Sequence, residues 1–223
     1  GPIQWPAPRV LLDSKKNVVG NGYEGDLLLP VTLTAPADAK PGEKVALKAA
    51  VDWLMCEDIC IPGNAALTLT LAIGAGPPAA DPVWGEKIRA VVAGLPRADP
   101  AWKISAARDA RNVTLKVVPT QPGGHTPKDL HFFSEDGLTN YELPQVVKPD
   151  GRGGFTVTVP LDPTGPQNAK QLVGVLTSEN GWTADGKLRG RRVAVDLAVG
   201  RGAASGSTVA DGATATSLAG TLF

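Results

Sequence analysis

Val45-Ala46-Leu47-Lys48-Ala49-Ala50-Val51-Asp52-Trp53-Leu54-Met55-Cys56-Glu57-Asp58-Ile59-Cys60-Ile61-Pro62-Gly63-Asn64-Ala65-Ala66-Leu67-Thr68-Leu69-Thr70-Leu71 holds the longest regular pattern in the chain and both of its cysteines. Val45, Leu47, Ala49, Val51, Trp53 and Met55 alternate with Lys48 and Asp52 on the opposite face, a period of two that predicts a strand. Pro62-Gly63-Asn64 reads as a break, after which Leu67, Leu69, Leu71 and Ile73 alternate with Thr68 and Thr70 as the next strand. Cys56 and Cys60 therefore fall where one strand ends and its hairpin partner begins. In the alternation Trp53 lies on the inward set, which predicts core packing for it.

Outward from this stretch the pattern stays β. Leu27, Leu29, Val31 and Leu33 alternate, with Pro30 marking an edge or bulged strand. Asp81 and Pro82 suit the start of a helix whose apolar face is Trp84, Ile88, Val91 and Val92, and Gly94-Leu95-Pro96 stops it. Strand patterns resume at Val113–Val117, Leu130–Phe133, Phe155–Leu161, Leu172–Leu176 and Val193–Val199. The Leu172–Leu176 run is apolar on both faces, as a strand in the middle of a packed sheet would be. With 26 Gly, 20 Pro and few aromatic residues, many short strands and frequent turns predict β-sandwich architecture. The expected organisation is all-β, with two tandem sandwich domains over 1–97 and 98–200, one short helix between them, and a Gly/Ala/Ser/Thr-rich flexible tail over 201–223.

Charge excludes some functions. The 22 Lys and Arg balance the 22 Asp and Glu, so the chain offers no basic field for nucleic acid or an anionic membrane. No apolar run approaches the roughly 20 residues that span a bilayer. The chain opens on Gly1-Pro2 without a signal-peptide pattern and reads as a piece of a longer protein. Gly151-Arg152-Gly153-Gly154 lacks the strand-to-helix setting of a phosphate loop and reads as a hairpin turn.

Three readings fit the cysteine pair. Residues opposed at adjacent strand ends come within the roughly 4.4–6.8 Å between Cα atoms that a disulfide needs. The loop it closes is so short that little chain entropy is removed from the unfolded state, which favours a bond that opens and closes over a staple. A structural clip on a hairpin is the second reading. Metal binding is the third. Zinc would require His125 and His131 from the other half of the chain, whereas copper(I) could use the two soft thiolates with help from Met55. Glu57 and Asp58 lie between the sulfurs, and negative charge disfavours a thiolate, so a selective thiol that depends on its partner's surface is expected.

Asn21-Gly22-Tyr23-Glu24-Gly25-Asp26-Leu27-Leu28-Leu29-Pro30-Val31-Thr32-Leu33, followed by Val51 to Ala65, resembles the N-terminal periplasmic domain of the DsbD/ScsB thiol:disulfide interchange proteins, and Ile3-Gln4-Trp5-Pro6-Ala7-Pro8 fits as well. The three-residue spacer is closer to the ScsB branch. The resemblance is specific over about residues 3–75 and weaker in the second half, around Phe132-Phe133, Gly174-Val175-Leu176 and Gly181-Trp182.

The resemblance implies an immunoglobulin-like sandwich in the periplasm, part of an inner-membrane protein of a Gram-negative bacterium. Electrons would arrive from a membrane-embedded domain of the parent protein. They would leave to periplasmic thioredoxin-like disulfide proteins, a peroxiredoxin being a further candidate. No bound cofactor is implied, because the cysteines themselves carry the electrons. Carried over, Cys60 attacks the partner and Cys56 resolves the mixed disulfide. The family's cap loop corresponds to about Asp13–Tyr23, where an obvious Phe is lacking and Val18, Val19 and Tyr23 stand instead. Tyr23, Trp53, Glu57, Asp58 and Pro62 are thus candidates for capping or shaping the site, although edge packing alone would also account for Tyr23.

Overall fold

The computed structural model describes residues 1–56, 59–77 and 79–199. Glu57, Asp58 and the tail over 201–223 lie outside the described residues. The chain runs β1 (Arg9–Leu12), β2 (Val18–Gly22), β3 (Lys44–Cys56), β4 (Cys60–Ala72), α1 (Gly85–Gly94), β5 (Trp102–Arg108), β6 (Asn112–Pro119), β7 (His131–Ser134), β8 (Val146–Pro149), β9 (Phe155–Pro160), β10 (Gln171–Thr177) and β11 (Gly190–Val199). The fold is all-β, as the short strands and abundant turns predicted, and immunoglobulin-like, as the resemblance implied.

The buried core belongs to one seven-stranded arrangement, β7-β10-β11-β5-β6-β9-β8. In β6 the period of two is complete: Val113, Leu115 and Val117 are fully buried while Lys116 and Val118 face out. Val157 and Val159 of β9 lie beside them. Phe132 of β7 with Leu172 and Leu176 of β10 supply core from the other end of the sheet. β11 joins the two parts. Its residues Gly190–Asp196 run antiparallel to β10, and Leu197–Val199 run parallel to Ala106–Arg108 of β5. Trp102 and Trp182 meet edge to face at 5.5 Å, and the buried Trp182 indole N–H donates to the Leu176 carbonyl at 2.9 Å. Arg191 is buried against Trp182 and donates to the Trp102 carbonyl, and burial lowers its pKa to about 10.

The first half is built differently. β1 and β2 form one antiparallel pair and β3 and β4 another. The approach to the seven-stranded sheet is made through Ala7 and Pro96, which lie against Gly190, and through the Arg192 N–H, which donates to the Arg97 carbonyl.

Several expected elements shift. Leu27–Leu33 is not a strand. Val31 forms an isolated bridge to Ile3, and Pro30 accepts a hydrogen bond from Gln4 N–H. Proline cannot donate to a ladder, and Val31 and Leu33 stay exposed, so alternation there is not converted into pairing. Pro62-Gly63-Asn64 does not break the strand, because β4 already begins at Cys60. Both strands of a two-stranded ribbon are edges, where proline is tolerated. The helix begins at Gly85, three residues after Pro82. Asp81 Oδ1 accepts from Val83 and Trp84 N–H and holds the turn that precedes it. Of the expected helix face, Trp84, Ile88 and Val92 are exposed. β1, β2, β5 and β8 carry no alternation strong enough to have been read. Gly151–Gly154 is indeed a hairpin turn: it joins β8 to β9, with Asp150 Oδ1 accepting from Arg152 and Gly154 N–H.

Gly174 shows how tightly the sheet is built. A Cβ there would enter the Phe133 carbonyl oxygen and lie 2.7 Å from the Phe132 ring. Gly174→Ala is therefore expected to destabilise by about 3 kcal/mol, read as a lowered urea midpoint. Leu69→Ala, on an exposed position of β4, should cost under about 1 kcal/mol by the same assay, and equal losses would contradict this placement of the core.

Candidate redox site

The site is built by register. β3 and β4 pair without a slip from Lys44 opposite Ala72 to Cys56 opposite Cys60, with three residues of sequence between the cysteines. Opposed residues of an antiparallel pair have Cα atoms about 4.5–5.5 Å apart, inside the disulfide range. Cys60 is disulfide-bonded, and Cys56 is the one other cysteine in the chain.

Side chains alternate across the ribbon, so the register also sorts the two faces. Cys56 and Cys60 share a face with Leu54 and Pro62, Asp52 and Asn64, Lys48 and Thr68. The other face carries Met55 and Ile61, Trp53 and Gly63, Val51 and Ala65, Ala49 and Leu67, Leu47 and Leu69, Val45 and Leu71. It is entirely apolar, yet much of it is open. Met55 is 60% exposed, Ile61 52% and Leu69 57%. Ile59, in the turn beside the cysteines, is 72% exposed. A disulfide at such a tip is within reach of another protein's sulfur.

The remaining predicted site residues fall in different places. Trp53 is 42% exposed, which corrects its assignment to the core: among the described residues its strand pairs with β4 alone, and inward alternation ends in an open face. Its indole lies on Gly63, where a Cβ would come 2.5 Å from Nε1 and 2.7 Å from Cζ2. Pro62 stands opposite Leu54, one rung from the disulfide pair on the same face. The stretch matching the family's cap loop is an ordered turn and strand β2. Asp13 Oδ1 accepts from Lys15 and Asn17 N–H at 2.8 Å, and Asn17 Nδ2 donates to Oδ2, which lowers the Asp13 pKa. Tyr23 is half-buried, stacked on Trp5 at 5.5 Å, and its hydroxyl donates to the Pro6 carbonyl at 3.2 Å. Gly63 was missed as the seat of Trp53. Counting outward from a three-residue turn pairs positions that sum to 116, and that would have found it.

The two histidines take up other contacts. His125 Nε2 is 2.9 Å from the Gly181 carbonyl, while His131 meets Gln145 and the Phe133 ring. Among the described residues no cluster of three or more His, Cys, Asp or Glu is placed to hold a metal ion. Nor is any helix among them long and apolar enough to cross a membrane.

Comparison with known proteins agrees with the geometry. Residues 1–72 match the family model described as thiol:disulfide interchange protein DsbD, N-terminal. The crystal structure of the N-terminal periplasmic domain of ScsB from Proteus mirabilis superposes with a TM-score of 0.60 at 20% sequence identity, over 89% of this chain and 72% of that one. At that identity the likeness speaks for the fold. No curated protein matches the chain. The matched segment, residues 1–72, coincides with the stretch whose sequence resembles the DsbD/ScsB N-terminal domains.

Tyr23 gives a pH test of the β1–β2 region. Burial, with a smaller push from the Glu135 charge, raises its pKa from 10.0 to about 12. The neutral phenol is favoured in the folded protein, so its stabilising contribution is present below pH 10 and is lost as pH rises from there through about 12. In a Tyr141→Phe background, where Tyr23 is the one tyrosine, phenolate absorbance should appear near pH 12 in the folded protein and near pH 10 in urea.

Proposed function

We propose that this protein relays reducing equivalents in the periplasm, taking them from a membrane-embedded domain of its parent protein and passing them to disulfides of thioredoxin-like proteins. The supporting observation is the placement of Cys56 opposite Cys60 at an exposed hairpin tip, with Cys60 disulfide-bonded, inside the segment that matches the DsbD N-terminal family. Cys60, exposed on a two-stranded ribbon, can be reached by both donor and acceptor. The second half, with its own buried core, serves as scaffold or docking surface in this reading, and 1–97 and 98–200 are proposed as the two units.

The chemistry balances without a cofactor. The Cys60 thiolate attacks one sulfur of the partner disulfide, forming a Cys60–partner bond and releasing a partner thiolate. The Cys56 thiolate then attacks the Cys60 sulfur and expels the second partner thiolate. The partner gains two electrons and, from solvent, two protons, and the Cys56–Cys60 disulfide is left behind. A dithiol of the membrane domain reduces it again by the same exchange run in the other direction.

The two cysteines therefore have separable phenotypes. After reduction and mixing with an oxidised thioredoxin-like protein, Cys56→Ser should accumulate the mixed disulfide on a non-reducing gel, and Cys60→Ser should form none. The reverse pattern would exchange the two roles. Absence of any mixed disulfide in both variants, with a native bond that mild reductant does not open, would support a structural clip and sink the relay.

A further inference from the structure

The ladder is weakest next to the cysteines. Pro62, opposite Leu54, has no N–H to donate, and Gly63, opposite Trp53, has no side chain to pair and the least restricted backbone. While the disulfide is closed, the covalent link holds these rungs together. Once it is reduced, the turn end of a two-stranded ribbon is free to fray, and fraying moves the thiols apart.

Trp53 occupies the position that resists this. Its ring lies on the Gly63 backbone, so closely that no side chain fits beneath it. An aromatic ring covering a cross-strand glycine pins register. The ring adds nothing to the buried core, being 42% exposed on a ribbon separate from the seven-stranded sheet. Parity places it on the face away from the sulfurs, so it acts on them through the backbone.

We propose that Trp53 is a positioning residue for the dithiol, its indole seated on Gly63 so that Cys56 and Cys60 stay opposed while reduced. This rests on the relay reading and deepens it. The tendency of the dithiol to close, against oxidised glutathione as the competing oxidant, measures the local concentration each thiol presents to the other. In closing, the domain loses two electrons and two protons, and one glutathione disulfide becomes two thiols.

The test is the equilibrium of the domain with reduced and oxidised glutathione, read as the alkylated fraction by mass. Trp53→Leu should lower the closing constant about tenfold, which raises the potential by about 30 mV, and Trp53→Phe should stay within about threefold. Gly63→Ala should match Trp53→Leu, because the added methyl lifts the ring. The double variant should lose no more than either single change, since both remove one contact. The near-ultraviolet dichroism of the Trp102–Trp182 pair reports that the core is intact in each variant. Closing constants within about twofold of wild type for Trp53→Leu, or additive losses in the double variant, would overturn the positioning role. A wild-type bond unmoved at every glutathione ratio would instead overturn the relay reading and this inference with it.

Discussion

The slip-free register between β3 and β4 is the constraint on which the site depends. Side chains of a ribbon repeat every two residues, so displacing one strand by a single position would put Cys56 and Cys60 out of opposition and turn one strand's apolar set to the other face. One geometric fact thereby fixes the disulfide, the sorting of polar and apolar faces, and the meeting of Trp53 with Gly63. The register runs unbroken from Lys44 opposite Ala72 at one end to Cys56 opposite Cys60 at the other.

The molecule separates rigidity from reactivity. The tightly packed interior lies between Trp102 and Leu197, where β11 ties two groups of strands into one sheet and Trp102, Trp182 and Arg191 are packed together. The cysteines sit on a ribbon outside that interior, with Met55, Ile59 and Ile61 open around them. Thiol exchange requires a sulfur that another protein can approach in line, and a core position would forbid it. Functional groups carried on exposed segments and positioned by a stable scaffold are a general solution to this conflict.

Much of this was legible along the chain. Val113, Leu115 and Val117, or Val157 and Val159, alternate so regularly that burial of one face was the natural reading, and both sets are fully buried. The Leu172–Leu176 run, apolar on both faces, is part of β10, which is paired on both sides by β7 and β11. The cysteines were placed at a strand junction by the same alternation. Reading failed where local pattern and pairing part company. Leu27–Leu33 alternates without acquiring a ladder, and Trp53 follows an inward pattern on a ribbon whose face stays open among the described residues. β1 and β8 are strands of four residues whose existence depends on their neighbours.

Alternation, turn residues and the CxxxC spacing are properties of near neighbours, and they were enough to establish an all-β chain with a cysteine pair at a hairpin tip. Which strands lie side by side, the passage of β11 from β10 to β5, the stacking of Tyr23 on Trp5 and the exposure of the apolar ribbon face depend on residues far apart in the chain. Only the tertiary structure decides these, because burial is set by what else packs against a surface, and a strand's own pattern carries no record of its partner.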